Sequence, residues 1–197
     1  TTCEAMIILM GIVIQPSGPV DFETIVPGSK SYTNRALICA ALADGHSTLT
    51  NSSLSEDSLL LVEALRVAGI VIDVDPATRT FCVEGRGGKV PSTEGTFFLG
   101  NAGTSLRFLT GFLALGRGTY RIDGNDRMRE RPVRDLATGL EQLGCTVAWE
   151  ATEGCPPFDL ETSGVTGGAI RVSAAISSQY VSSLLLCAPC ARSRLEL

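Results

Sequence analysis

The sequence predicts an α/β fold, with α+β character, assembled from repeated helix–strand–helix–strand–strand units. Three observations predict it. A small-residue turn bearing hydroxyls opens onto an apolar helical run three times: Gly28-Ser29-Lys30-Ser31 before Ala36–Leu42, Gly103-Thr104-Ser105 before Leu106–Leu115, and Ser177-Ser178-Gln179 before Tyr180–Ala188. The interval is nearly constant, 75 residues from Gly28 to Gly103 and 74 from Gly103 to Ser177. A helix–glycine–strand pattern keeps the same period: Leu61–Leu65 leads through Gly69 to Val71-Ile72, and Leu136–Leu140 leads through Gly144 to Thr146-Val147. Glycine just past a helix is a common left-handed stop. A repeat of this length outranks local propensity in deciding a fold.

In the first unit a helix is expected over 30–43 and a strand over 47–50. Ser53 or Ser55 then caps a helix running to about Ala68, with Glu56 three residues after Ser53 as the partner of a capping box. Strands follow over 70–74 and 80–84, joined by the Asp75-Pro76 turn. The second unit repeats this with a helix over 104–115, a strand over 119–122, a helix starting at Pro132 and ending near 143, and strands over 145–149 and 158–161. The third unit shows one helix and the start of a strand, Arg194–Leu197. The chain is therefore expected to be a fragment, with apolar surface uncovered where the unit stops. Upstream, Ala5–Ile14 is too short an apolar run to span a membrane and reads as a buried strand.

Composition narrows the function. With 197 residues, 44% of them hydrophobic, the chain can build a sizeable core, and global disorder is excluded. A net charge of −5 argues against a nucleic-acid partner. Seven cysteines, an odd number, suit a reducing compartment. Cys39, Cys145 and Cys187 lie in apolar patterns and read as core. Cys187-Ala188-Pro189-Cys190 is a lone CxxC, and the single histidine, His46, follows Asp44-Gly45 in a turn. Neither a metal site nor a Ser-His-Asp set can be built from these. Gly85-Arg86-Gly87-Gly88 and Gly116-Arg117-Gly118 do not stand between a strand and a helix, so a dinucleotide fingerprint is rejected. A P-loop fails because Ser29 separates Gly28 from Lys30.

The chemistry that remains is anion binding. A helix N-terminus offers unpaired N–H groups and the positive end of the macrodipole. At the first such start, Ser29 and Ser31 add hydroxyls, and Lys30 and Arg35 add fixed charge. Lys30 is one of only two lysines in the chain, the other being Lys89. Arg127-Met128-Arg129-Glu130-Arg131 is a second cationic cluster, set just before Pro132. A solvated charged turn and ordinary N-capping at Ser177-Ser178 are the plainer readings of two of these features.

Four motifs together resemble one family. They are Pro27-Gly28-Ser29-Lys30-Ser31 with Asn34-Arg35, Leu99-Gly100-Asn101-Ala102-Gly103-Thr104 with Arg107, Arg127–Pro132, and Ser177-Ser178-Gln179-Tyr180. In this order and at these separations the chain resembles EPSP synthase, the enolpyruvyl transferase of the shikimate pathway of aromatic amino-acid and chorismate biosynthesis. The resemblance implies the inside-out α/β barrel of the enolpyruvyl transferases, with two similar domains of three units each. Residues 1–26 would be a strand segment of the lower domain. Residues 27–197 would be the upper, substrate-binding domain, with units at about 27–98, 99–172 and an incomplete 173–197.

It implies a reaction in which phosphoenolpyruvate joins the 5-hydroxyl of shikimate 3-phosphate through a tetrahedral adduct that then loses phosphate. No cofactor or metal is implied, and the setting is cytoplasmic, with no nucleic acid or membrane as partner. By resemblance, Lys30 is the catalytic residue and contacts both substrates, Ser31 and Arg35 hold the shikimate phosphate, and the Gly103 backbone lies against phosphoenolpyruvate. Arg131 binds the phosphoenolpyruvate anion, Ser177 and Ser178 hold the 3-phosphate, Gln179 lies between the substrates, and Asn101 and Thr104 complete the binding set. The acid and base groups are implied to lie in the C-terminal domain of the same polypeptide, so the 197 residues alone are expected to be inactive. Phe108 departs from the proline common in the family, as in fungal pentafunctional polypeptides, and bears on sensitivity to glyphosate, the family's inhibitor. Two alternatives stand beside this reading. UDP-N-acetylglucosamine enolpyruvyl transferase is disfavoured because 124–131 carries no cysteine; a non-catalytic anion-binding fragment is the other.

Overall fold

The computed structural model describes residues 18–197. The strand expected at Ala5–Ile14 lies outside the described residues. Residues 18–29 carry no regular secondary structure and expose Val20, Phe22, Ile25 and Val26. Then come α1 (Lys30–Leu42), β1 (Asp44–Leu49), α2 (Glu56–Val67), β2 (Val71–Asp75), β3 (Thr80–Arg86), β4 (Glu94–Phe98), α3 (Gly103–Ala114), β5 (Gly118–Asp123), α4 (Arg134–Gln142), β6 (Thr146–Trp149), β7 (Phe158–Thr162), β8 (Gly168–Ala169), α5 (Gln179–Cys187), a 3-10 turn at Ala188–Cys190 and β9 (Leu195–Glu196).

The repeat is visible in the sheets. The first is antiparallel with order β1-β3-β2, and the second has order β4-β5-β7-β6. In the second sheet β5-β7-β6 reproduces β1-β3-β2, and β4 adds a parallel strand on β5, from Glu94 opposite Thr119 to Phe98 opposite Asp123. A short parallel pair, β8 with β9, is the same opening motif in the third unit. The second unit is therefore strand–helix–strand–helix–strand–strand, one strand more than the sequence pattern predicts. Glu94-Gly95-Thr96 reads locally as a polar turn. Its strand is held by long-range contacts: Phe97 meets the Tyr120 ring edge-on at 6.0 Å, and the Tyr120 hydroxyl donates to Ser92 O at 2.8 Å.

The helices α1, α3 and α5 form the centre, with α3 packed on both of the others and α1 touching α5. Ten of the twelve residues of α3 are buried, all but Thr104 and Arg107. Close approach to α5 demands a small residue at Gly111, where a Cβ would meet Ser183 Oγ and, at 3.3 Å, Cys187 Sγ. A buried polar knot ties three helices together. Asn34, fully buried on α1, donates through Nδ2 to Ser105 Oγ of α3 (3.0 Å) and accepts from Ser58 Oγ of α2 (2.8 Å); Ser105 Oγ in turn donates to Asp57 O (2.7 Å). No helix among the described residues is long and apolar enough to cross a membrane.

Several local expectations are corrected. His46 lies in β1 opposite Glu84, because pairing with β3 continues to Asp44 and overrides the Asp-Gly turn signal. The Ser53–Glu56 capping box does not form: Ser55 is the N-cap, and Ser53 Oγ instead accepts from Ser55 N at 3.3 Å. Cys145 and Cys187 are buried but Cys39 is exposed, since it continues the outward stripe of Tyr32 and Arg35 at helical spacing. The fourth helix starts at Arg134, leaving Pro132 outside it with a carbonyl free to accept other bonds.

Asn34→Ala should destabilise the fold by about 1–3 kcal/mol, because it strands buried hydroxyls of two other helices. A urea midpoint equal to wild type would show that the knot contributes nothing.

Candidate active site

The N-terminal ends of the three central helices meet at one cavity of about 530 Å3. Lys30 opens α1, Gly103 and Thr104 open α3, Gln179 opens α5, and all four line it. Asn101 and Arg131 line it too, so six of the ten residues expected at a site are together. Ser31 and Arg35 lie one and five residues beyond Lys30 and form a separate small hollow with Tyr32. There Arg35 Nη1 donates to Ser31 Oγ (2.7 Å), and the guanidinium stacks over Phe108, 4.8 Å from the ring centroid. Phe108 thus gives Arg35 a platform. Ser177 and Ser178 precede Gln179 but do not line the cavity. Ser177 Oγ accepts from Gln179 N at 3.2 Å, which is local capping of the turn.

Four further residues line the cavity: the charged Asp57 and Arg107, with Pro132 and Ile176. Lys30 Nζ sits 2.8 Å from Asp57 Oδ2, an ion pair spanning 27 residues of sequence. Arg107 holds the third unit in place. Its Nη1 donates to Gln179 Oε1 (2.6 Å), its Nη2 to Pro132 O (3.2 Å), and its guanidinium lies 5.3 Å from the Tyr180 ring centroid. Gln179 Nε2 donates to Thr104 Oγ1 (2.9 Å), so both ends of that amide are fixed. Tyr180 closes the circuit with its hydroxyl on Pro132 O at 2.7 Å.

The electrostatics favour an anion. Burial lowers the pKa of the Arg107 guanidinium, and the Arg131 charge pushes the same way, while Tyr180 opposes both. Arg107 Nε is buried without a hydrogen-bond partner among the described residues. Arg131 Nη1 donates to Asn101 O at 3.2 Å and packs on the bare Cα of Gly103, where a Cβ would collide with it. The cavity thus holds Lys30, Arg107 and Arg131 against one carboxylate, Asp57.

The cationic run 127–131 divides by role. Arg131 faces the cavity, Met128 is core, and Arg127 is exposed. Arg129 grips Asp123 with Nε to Oδ1 at 3.0 Å and Nη2 to Oδ2 at 2.7 Å. Those bonds, helped by Gly124 N–H, hold the Asp123 carboxyl below its usual range against the opposing effect of burial.

The model of EPSP synthase (3-phosphoshikimate 1-carboxyvinyltransferase) matches residues 14–197. The chain belongs to the EPSP synthase family. Among curated relatives, a 3-phosphoshikimate 1-carboxyvinyltransferase of Nostoc sp. is 45% identical over 174 residues, 88% of this chain and 41% of that protein. One of Shewanella denitrificans is 39% identical over 185 residues, 93% of this chain and 43% of the relative. The solved EPSP synthase of Acinetobacter baumannii superposes with a TM-score of 0.75 at 27% identity, over 85% of this chain and 38% of its own. The chain thus spans about two-fifths of the length of these EPSP synthases.

Two outcomes test the site. Gly103→Ala should displace the Arg131 guanidinium, read as a shift of its side-chain NMR signal with the fold retained; an unmoved signal refutes the contact. Asp123 has a folded pKa below its unfolded value, so its contribution is present above about pH 4 and is lost as pH falls through the folded value. Asp123→Asn should therefore flatten the acid limb of stability against pH. A limb as steep as wild type would exclude the Arg129 pair as its source.

Proposed function

We propose that this cavity is the upper-domain half of an enolpyruvyl transfer site, and that the whole protein moves the enolpyruvyl group of phosphoenolpyruvate to the 5-hydroxyl of shikimate 3-phosphate. The observation that carries this reading is the meeting of three helix N-termini and three cations at one cavity. Each substrate brings both a phosphate and a carboxylate. Helix N-termini stabilise such groups through N–H donors, and arginine binds them in two-pronged geometry.

The family resemblance supplies the roles. Arg131 and the N-terminus of α3 form the phosphoenolpyruvate side, with glycine at 103 leaving room for the anion to reach backbone. Ser31 and Arg35, with Ser177 and Ser178, would hold the phosphate of shikimate 3-phosphate. Lys30 would contact both substrates, with Asp57 holding its ammonium until they arrive. Gln179, fixed by Arg107 and Thr104, keeps the third helix start in register. In the addition the 5-hydroxyl loses its proton as its oxygen bonds C2 of phosphoenolpyruvate, and the C2–C3 double bond is consumed as C3 takes up a proton and becomes a methyl group. In the elimination one proton leaves that methyl group, the C2–C3 double bond is restored, and the C2–O bond to phosphate breaks. The proton-transfer groups belong, on the family resemblance, to the C-terminal domain of the same polypeptide, and closure of two domains would exclude water. The six described cysteines are free thiols, which supports a reducing, cytoplasmic setting.

Lys30→Met in the complete protein should abolish turnover while leaving the unfolding midpoint near wild type. Turnover close to wild type would remove Lys30 from the chemistry. Arg131→Ala should raise KM for phosphoenolpyruvate at least about tenfold, with a much smaller effect on KM for shikimate 3-phosphate. Equal effects would make Arg131 structural. The 197-residue chain alone should bind shikimate 3-phosphate weakly by calorimetry and release no phosphate above background. Clear turnover by it would overturn the division of labour between two domains.

A further inference from the structure

The opposite end of the same helices carries a second cavity, of about 440 Å3. Helix α3 enters it at Leu115 and Gly116, just past its C-terminus, twelve residues or roughly 18 Å along the axis from Gly103. Cys190 brings the end of the third unit to it, and Gly88, whose N–H bonds Leu42 O at 2.8 Å, brings the end of α1. Its wall is part apolar, from Val90, Leu115 and Val165, and carries three cations, Lys89, Arg117 and Arg192. Among the described residues, no Asp or Glu lines it.

The plain explanation of cations here is that they satisfy the last carbonyls of the helices. The hydrogen bonds exclude it. At the end of α1, Leu42 O and Ala43 O accept from Gly88 N and Gly87 N, both at 2.8 Å. At the end of α3, Phe112 O, Leu113 O and Ala114 O accept from Leu115 N (3.1 Å), Gly116 N (2.9 Å) and Thr162 Oγ1 (2.8 Å). Arg192 donates to a loop carbonyl, Ser163 O. Among the described residues, Lys89 and Arg117 have neither an ion pair nor a side-chain hydrogen bond. Three positive charges thus line a half-apolar hollow with no carboxylate among the described residues, in a chain whose net charge is −5.

We propose that this cavity is a second binding site, for a small organic anion: one acidic group, phosphate or carboxylate, carried on an apolar frame. The acidic group would lie among Lys89, Arg117 and Arg192, and the frame against Val90, Leu115 and Val165. The site is remote from the cavity assigned to enolpyruvyl transfer and does not depend on that assignment.

Phenyl phosphate, with benzyl alcohol as its neutral counterpart, tests this by NMR titration of the 197-residue chain at low salt. The amides of Gly116 and Gly164 report this cavity, and that of Gly103 reports the other. Phenyl phosphate should shift Gly116 and Gly164 saturably, and benzyl alcohol should not. Lys89→Gln combined with Arg117→Gln changes two exposed side chains and should weaken that binding at least about tenfold with the remaining spectrum intact. Shifts at Gly103 alone, equal shifts with benzyl alcohol, or unchanged affinity in the double variant would each overturn the proposal. If the double variant failed to fold, benzoate against benzyl alcohol on the wild-type chain would decide in the same way.

Discussion

A helix wrapped on every side can offer a ligand only its ends. That constraint governs this molecule through α3, whose two half-exposed residues, Thr104 and Arg107, both sit in its first two turns and both face the cavity. The lateral surface of α3 is spent on its neighbours, while α1 and α5 each keep an exposed stripe, at Tyr32 and Cys39 and at Leu185. What α3 has left for chemistry is the positive end of its macrodipole, which the packing sets beside the starts of α1 and α5. The Asn34 knot fixes that placement: one amide measures the position of α1 against α2 and α3 at once, and a slip of one turn would break all of its bonds.

The site stores charge repulsion in advance of any ligand. Arg107 is partly desolvated, has a neighbouring guanidinium at Arg131, and keeps one buried N–H without a hydrogen-bond partner among the described residues. A fold tolerates such a group only where the surroundings over-determine it, and here the carbonyl of Pro132, the amide of Gln179 and the ring of Tyr180 do so.

Much of this was legible in the chain. The 75-residue period marks three equivalent helix starts, and one polar residue from each, Lys30, Thr104 and Gln179, reaches the cavity, because the signals of a helix beginning are local. The departures are non-local. β4 exists through pairing with β5 and through Phe97 against Tyr120, which no window around Glu94-Gly95-Thr96 reveals. Asp57 looks like an ordinary acidic residue in a first turn until the fold sets it beside Lys30. Arg107 was visible as part of a motif, but its task, bridging the second and third units, depends on residues 25 and 72 positions away. Charge runs mislead for the opposite reason: within Arg127–Arg131 neighbours in sequence face in different directions, and only geometry separates Arg129, which holds Asp123, from Arg131, which faces the cavity.

The chain's two lysines stand at the two ends of the helical core, Lys30 in an ion pair and Lys89 exposed beside the other cavity. Side-chain amines are therefore natural reporters with one address each. An acylating reagent marks each end of the domain at a single site, and a peptide digest reads the two extents of labelling separately from one sample. The accessibility of either end then becomes measurable in this chain, with no engineered probe and no substitution in the core.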